Sequence, residues 1–107
     1  MDDKQLLKGV LEGCVLAIIS RKETYGYELI VILREYGFED IQEGTLYPIL
    51  TRLEKKGYIR ARGVRSEIGP IRKYFSITAV GRYHLSQFVQ SYAKLTQRSL
   101  KILKEVN

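Results

Sequence analysis

The sequence predicts a mostly α-helical fold with one small β-hairpin and a long C-terminal helix. Three observations point there. Apolar residues recur at helical spacing in three segments before Gly57. Two short strand-like runs, 58–62 and 73–77, flank a polar, basic loop with Gly69-Pro70 as turn chemistry. From Thr78 onward an apolar repeat continues for about 28 residues, or about 42 Å of helix.

The elements follow in order. Residues 4–19 read as a first helix, with Leu7, Leu11, Cys14 and Ile18 on one stripe and Leu6, Val10 and Val15 widening it, so that cover on more than one side is expected. After a polar break, Thr24 is the expected N-cap of a second helix, 25–36. Leu29, Ile32, Leu33 and Tyr36 form its inner face, and Gly37 ends it. A third helix, 43–56, places Leu46, Ile49, Leu50 and Leu53 at i, i+3, i+4 and i+7, and Gly57 stops it. Pro48 donates no hydrogen bond and crowds the carbonyl of Gly44, so the first turn of this helix is expected to be irregular. The hairpin comes next. Helix, helix, helix, hairpin is the winged helix-turn-helix order.

Thr78 caps the last helix. Leu85, Phe88, Tyr92, Leu95, Ile102 and Val106 form a heptad-like seam along it, with Ser99 in the one gap and Val89 and Leu103 beside it. A compact domain of this size has a radius of gyration of only about 13 Å, so the helix should outrun its domain. An apolar seam on a protruding helix needs a partner, and a second copy is the simplest. Residues 1–77 are thus expected to form the winged helix-turn-helix unit. Residues 78–107 form a dimerisation helix, one structural unit with the first helix.

Of the net charge of +6, all lies within residues 52–74, where eight bases (Arg52, Lys55, Lys56, Arg60, Arg62, Arg65, Arg72, Lys73) face two acids; the remaining ten bases and ten acids cancel. A local basic patch on an otherwise neutral chain is the footprint of a phosphate-backbone binder. No apolar run is long enough for a membrane helix, and the N-terminal residues lack a signal-peptide pattern. The single cysteine, Cys14, lies in an apolar run, so a buried, reduced thiol and a cytoplasmic location are expected. One His and one Cys leave no metal-ligand cluster, and no cofactor is expected.

With its apolar stripe turned inward, the third helix shows Thr45, Tyr47, Pro48, Thr51, Arg52 and Lys55 outward. Such Thr, Tyr and Arg side chains reach base edges or phosphates. The adjacent loop supplies Arg65, Arg72 and Lys73 for backbone or minor-groove contact. Double-stranded DNA is the expected partner. The alternative is a winged-helix protein-interaction module that turns the same surface toward an acidic protein.

Gly44-Thr-Leu-Tyr-Pro, Arg52-Leu-Glu, Lys56-Gly-Tyr-Ile, Gly69-Pro-Ile-Arg-Lys-Tyr-Phe and Thr78-Ala-Val-Gly81, together with Tyr25-Gly-Tyr-Glu-Leu29, resemble the PadR family of bacterial transcriptional regulators over about residues 6–95. The single C-terminal helix resembles the short-tailed branch. The resemblance implies a homodimeric repressor of an inverted-repeat operator, with the third helix of each subunit in the major groove and the wing alongside. The C-terminal helices would pack on the partner's first helix, and a small aromatic or cationic effector near that interface would release DNA. Carried over by position, Gly44, Thr45, Tyr47, Pro48 and Thr51 read DNA, and Arg72 and Lys73 lie at the wing.

Two departures from the family pattern stand out. Glu43 replaces a small or hydroxyl residue and would repel a phosphate, and Ile71 replaces a proline common in the wing. For an effector, Leu11, Val15, Ile18, Phe88 and Tyr92 are the candidate walls, and the default reading of the last two is dimer core. Leu85, Phe88, Tyr92, Leu95 and Ile102 are the expected dimer interface. The chain has no Trp, so an effector sandwiched between tryptophans has no support. His84 and Cys14 lie on separate helices, with no acid pair and no glycine-rich phosphate loop, so no enzyme is expected.

Overall fold

A computed structural model describes residues 4–65 and 68–106 of the chain. The order is α1 (Lys4–Leu7), α2 (Val10–Arg21), β1 (Thr24–Tyr25), α3 (Gly26–Glu35), α4 (Glu43–Lys55), β2 (Ile59–Val64), β3 (Arg72–Ile77) and α5 (Ala79–Leu103). The expected first helix is two helices. Gly9 sits at φ 88°, a left-handed conformation that suits glycine, and the chain turns there between α1 and α2.

Thr24 is not an N-cap. Its side chain makes no cap to α3, its hydroxyl donates to the Lys22 carbonyl at 2.7 Å, and the residue is fully buried. Thr24 and Tyr25 form a short strand paired with Phe75 and Tyr74 of β3, which widens the expected hairpin into an antiparallel sheet of order β1-β3-β2. Ladder pairing outweighs the capping chemistry here, because a buried backbone group must find a partner. The wing strands run Ile59↔Ile77 through Val64↔Arg72, longer than expected at the loop end. Ser66 and Glu67, in the wing loop, lie outside the described residues.

The helix ends follow their glycines. At Gly37 and Gly57, both at positive φ, the following residues Phe38 and Tyr58 donate back to the carbonyls of Leu33 and Leu53, each at 3.0 Å. The glycine amides bond to Arg34 and Glu54 one residue further on, which completes the Schellman pattern in both helices. At the start of α4, the Gln42 carbonyl accepts from both the Thr45 amide at 3.0 Å and the Leu46 amide at 3.1 Å, and the helix runs from Glu43 through Pro48 without a break.

One core joins the elements. Leu11, Val15, Leu16 and Ile19 of α2 meet Leu29 and Leu33 of α3, the Leu46-Ile49-Leu50-Leu53 stripe of α4, and Ile59 and Phe75 of the sheet. Cys14 is half-buried rather than buried, and desolvation pushes its thiol pKa up.

Thr78 does cap α5, accepting from the Gly81 amide at 3.0 Å, and the helix ends at Leu103, short of Val106. Gly81 is the one buried α5 residue; a side chain there would strike the Tyr58 carbonyl. Past Phe88 the helix leaves the core, and the long axis reaches 57 Å against 30 and 20 Å for the others.

Candidate nucleic-acid interface

Helix α4 presents its outer face between two flanks. At 3.6 residues per turn, Gly44, Pro48, Thr51 and Lys55 form a ridge opposite the buried Leu46-Ile49-Leu50-Leu53 stripe, and all four are exposed. Tyr47 lies to one side of the ridge, and Thr45 and Arg52 to the other. The Thr51 hydroxyl donates to the Tyr47 carbonyl at 3.0 Å, which fixes its rotamer and leaves its lone pairs facing outward.

On the Tyr47 flank the helix meets the wing. Tyr47, Arg72 and Lys73 line one groove of about 410 Å³, with Tyr25, Tyr27 and Pro70 among its other walls. Gly26 makes this approach possible: a Cβ there would lie 2.6 Å from the Tyr47 hydroxyl oxygen. The β1–β3 pairing brings Tyr25 alongside, and the Arg72 guanidinium lies 5.2 Å from its ring centroid. This contact holds the wing base beside the groove that Tyr47 of α4 lines.

On the other flank, Gly44, Thr45, Pro48 and Arg52 line a second cleft with α1. The sequence-predicted residues thus divide between two neighbouring clefts and the ridge. Arg65, just past β2, lines neither. Tyr27 and Tyr25 were missed as groove residues. Their signal was the Tyr25-Gly-Tyr27 run, but only the tertiary pairing of β1 shows what it faces. Glu43 lines a shallow groove with Tyr27 and Arg34, on the α3 side of the ridge. Glu43 therefore stands beside the exposed ridge of α4 rather than on it.

The charge pattern is thinner than a count along the chain implies. Glu12 of α2 lies 3.7 Å from both Arg52 and Lys56. Glu23 takes a bidentate pair from Arg62 and a hydrogen bond from the Ser76 hydroxyl at 3.0 Å. The Arg62 hydrogen bond is the main cause that holds the Glu23 carboxyl below its ordinary pKa, and the same bond raises that of Arg62. Among the described residues, no carboxylate comes within ion-pair distance of Lys55, Arg60, Arg65, Arg72 or Lys73.

The remaining predicted residues sit elsewhere. Leu11, Val15 and Ile18 are closed into the core at 4%, 0% and 7% exposure. The five candidate effector walls do not line one cavity. Phe88 packs over Gly13 and stacks on Tyr92 with centroids 5.8 Å apart. Of the seam, Leu85 packs on the core, while Tyr92, Leu95 and Ile102 are exposed. His84 stacks on Tyr58, centroids 4.1 Å apart. No group of metal-ligating side chains occurs among the described residues, and no described helix is long and apolar enough to cross a membrane.

Comparison with known proteins gives the family. The profile of the transcriptional regulator PadR-like family matches residues 15–87. The crystal structure of a Streptococcus transcriptional regulator is 52% identical, covering 92% of this chain and 97% of that one, with a TM-score of 0.81. A PadR-like transcriptional regulator from Bacillus cereus is 44% identical, covering 94% and 97%, with a TM-score of 0.82. An uncharacterized protein of Lysinibacillus sphaericus is 35% identical over 94 residues, 86% of each chain. The chain therefore belongs to the PadR-like family of DNA-binding transcriptional regulators, a family of regulators and not of enzymes.

Proposed function

We propose that the protein is a homodimeric, cytoplasmic repressor that binds an inverted-repeat operator with α4 of each subunit in the major groove. The observation that carries this reading is the shared groove of Tyr47, Arg72 and Lys73, which sets the reading helix and the basic wing side by side. The uncharged ridge of Gly44, Pro48 and Thr51 suits base edges, and Lys55 with the wing bases suits phosphate. The seam of Tyr92, Leu95 and Ile102, uncovered in the single chain, supports a second copy as its cover. A small aromatic or cationic effector would act where that interface meets the stacked Phe88 and Tyr92 rings.

Gel retardation and footprinting on the DNA upstream of the protein's own gene test the reading. Two protected half-sites about 10 base pairs apart, or a multiple, are expected. Thr51→Ala should change sequence preference. Arg72→Ala with Lys73→Ala should weaken binding to all sequences and flatten its salt dependence. Absence of retardation at micromolar protein in low salt would refute it.

A further inference from the structure

The short α1 helix forms one wall of a cleft against the reading helix. That cleft, of about 350 Å³, is walled by Lys4 and Lys8 on one side and by Gly44, Thr45, Pro48 and Arg52 on the other. Its apolar lining comes from Leu7, Leu11 and Ile49. Glu12 is the one acid in the lining, against three bases, and it already faces Arg52 and Lys56. Gly9 creates the arrangement. Its φ of 88° ends α1 and redirects the chain, so that α1 does not continue the line of α2.

We propose that this cleft seats a DNA backbone segment, with Lys8 as its phosphate ligand. The α1 elbow is then a second grip, on the side of α4 away from the wing. The proposal rests on the DNA-facing orientation of α4 proposed above. Its chemistry matches a sugar–phosphate chain: an apolar floor for deoxyribose and a basic rim for the phosphate oxygens. The cleft is continuous with the reading helix, since Gly44, Thr45 and Pro48 belong to both. A duplex whose bases meet the ridge has its backbone on either side, one strand toward the wing and the other toward α1.

The test uses the full chain and a random-sequence DNA duplex, since a phosphate contact is independent of sequence. Binding is titrated over a salt series for the parent, Lys8→Ala, Lys8→Glu, and Arg72→Ala with Lys73→Ala. Lys8 is exposed, so thermal melting should not change. Lys8→Ala should lower the slope of log affinity against log salt by about 0.9 for each docked subunit, the increment of one neutralised phosphate, so by about 1.8 for a dimer with both subunits on the duplex, and weaken low-salt binding by about threefold to tenfold per subunit. Lys8→Glu should weaken it further. If both Lys8 variants keep the parent's affinity and slope while the wing variant loses them, the α1 grip is wrong and the DNA-facing reading stands. If the parent shows no salt-dependent binding, both fall together.

Discussion

Replacing Glu12 with Gln should tighten DNA binding, although Glu12 lies on α2, outside the reading helix. Its carboxylate stands 3.7 Å from the Arg52 guanidinium and from the Lys56 ammonium, and both bases are about half exposed. Each pair therefore acts through a mostly water-like medium, where unit charges about 4 Å apart attract by about 1 kcal/mol. Held this way, the two bases are partly neutralised toward phosphate. Removing the carboxylate raises the local charge by one per subunit. An additional attraction of about 1 kcal/mol corresponds to about fivefold in binding constant. Each further phosphate neutralised would steepen the salt slope by about 0.9. Folding stability should change little, because Glu12 is only 20% exposed but both pairs are long and end on half-exposed bases, and pairs reaching the surface contribute about 0–1 kcal/mol. Fluorescence anisotropy with labelled duplex, repeated across salt concentrations, reads both quantities. Equal affinity and equal slope for Glu12→Gln and parent, at unchanged melting temperature, would show that Arg52 and Lys56 do not face the DNA backbone. A loss of affinity would show that Glu12 instead positions Arg52 for its role at the backbone.

Three further outcomes follow from the packing. Gly13→Ala should destabilise the fold by about 1–3 kcal/mol in denaturant unfolding, because the new methyl would enter the space of the Phe88 ring and push α5 off α2. Leu95→Lys with Ile102→Lys should convert a dimer to monomer in sedimentation equilibrium. These side chains are 63% and 69% exposed in the single chain, and each would contribute about 1.5–3 kcal/mol on burial against a partner; a parent that sediments as a monomer refutes the seam. Glu23 has a lowered pKa in the folded chain, so its stabilising pair with Arg62 is fully present above the ordinary carboxylate pKa and is lost as pH falls through the lower folded value. Acid unfolding curves of parent and Glu23→Gln should therefore converge below that range and separate above it.

Local chemistry made several elements legible in the sequence. Gly37 and Gly57 end their helices and Thr78 caps α5, each through bonds to residues a few positions away. Where the deciding partner is distant, the reading failed. Thr24 has the composition of a cap, but Phe75 across the sheet claims it. The apolar period of the first helix runs straight through Gly9, and only the backbone turn there shows that α1 is separate. Leu11, Val15 and Ile18 share one apolar face, yet periodicity is silent on what covers a face. The core closes over these three, and of the five expected walls Phe88 and Tyr92 stay outside it.

The charge pattern shows the same division between local and distant information. Along the chain, residues 52–74 carry the whole excess of +6. In space, Glu23 cancels Arg62, and Glu12 stands against Arg52 and Lys56, although both acids lie well outside that stretch. Meanwhile Lys4 and Lys8, which belong to the neutral remainder along the chain, come beside the start of α4. The excess is thus redistributed from one stretch to the two sides of the reading helix, with Arg72 and Lys73 on one flank and Lys8 on the other. A duplex presents phosphates on both sides of its groove, and a single-sided patch could hold only one strand. Folding splits the patch, and that division gives α4 bases at both of its edges and the uncharged Gly44, Pro48 and Thr51 between them.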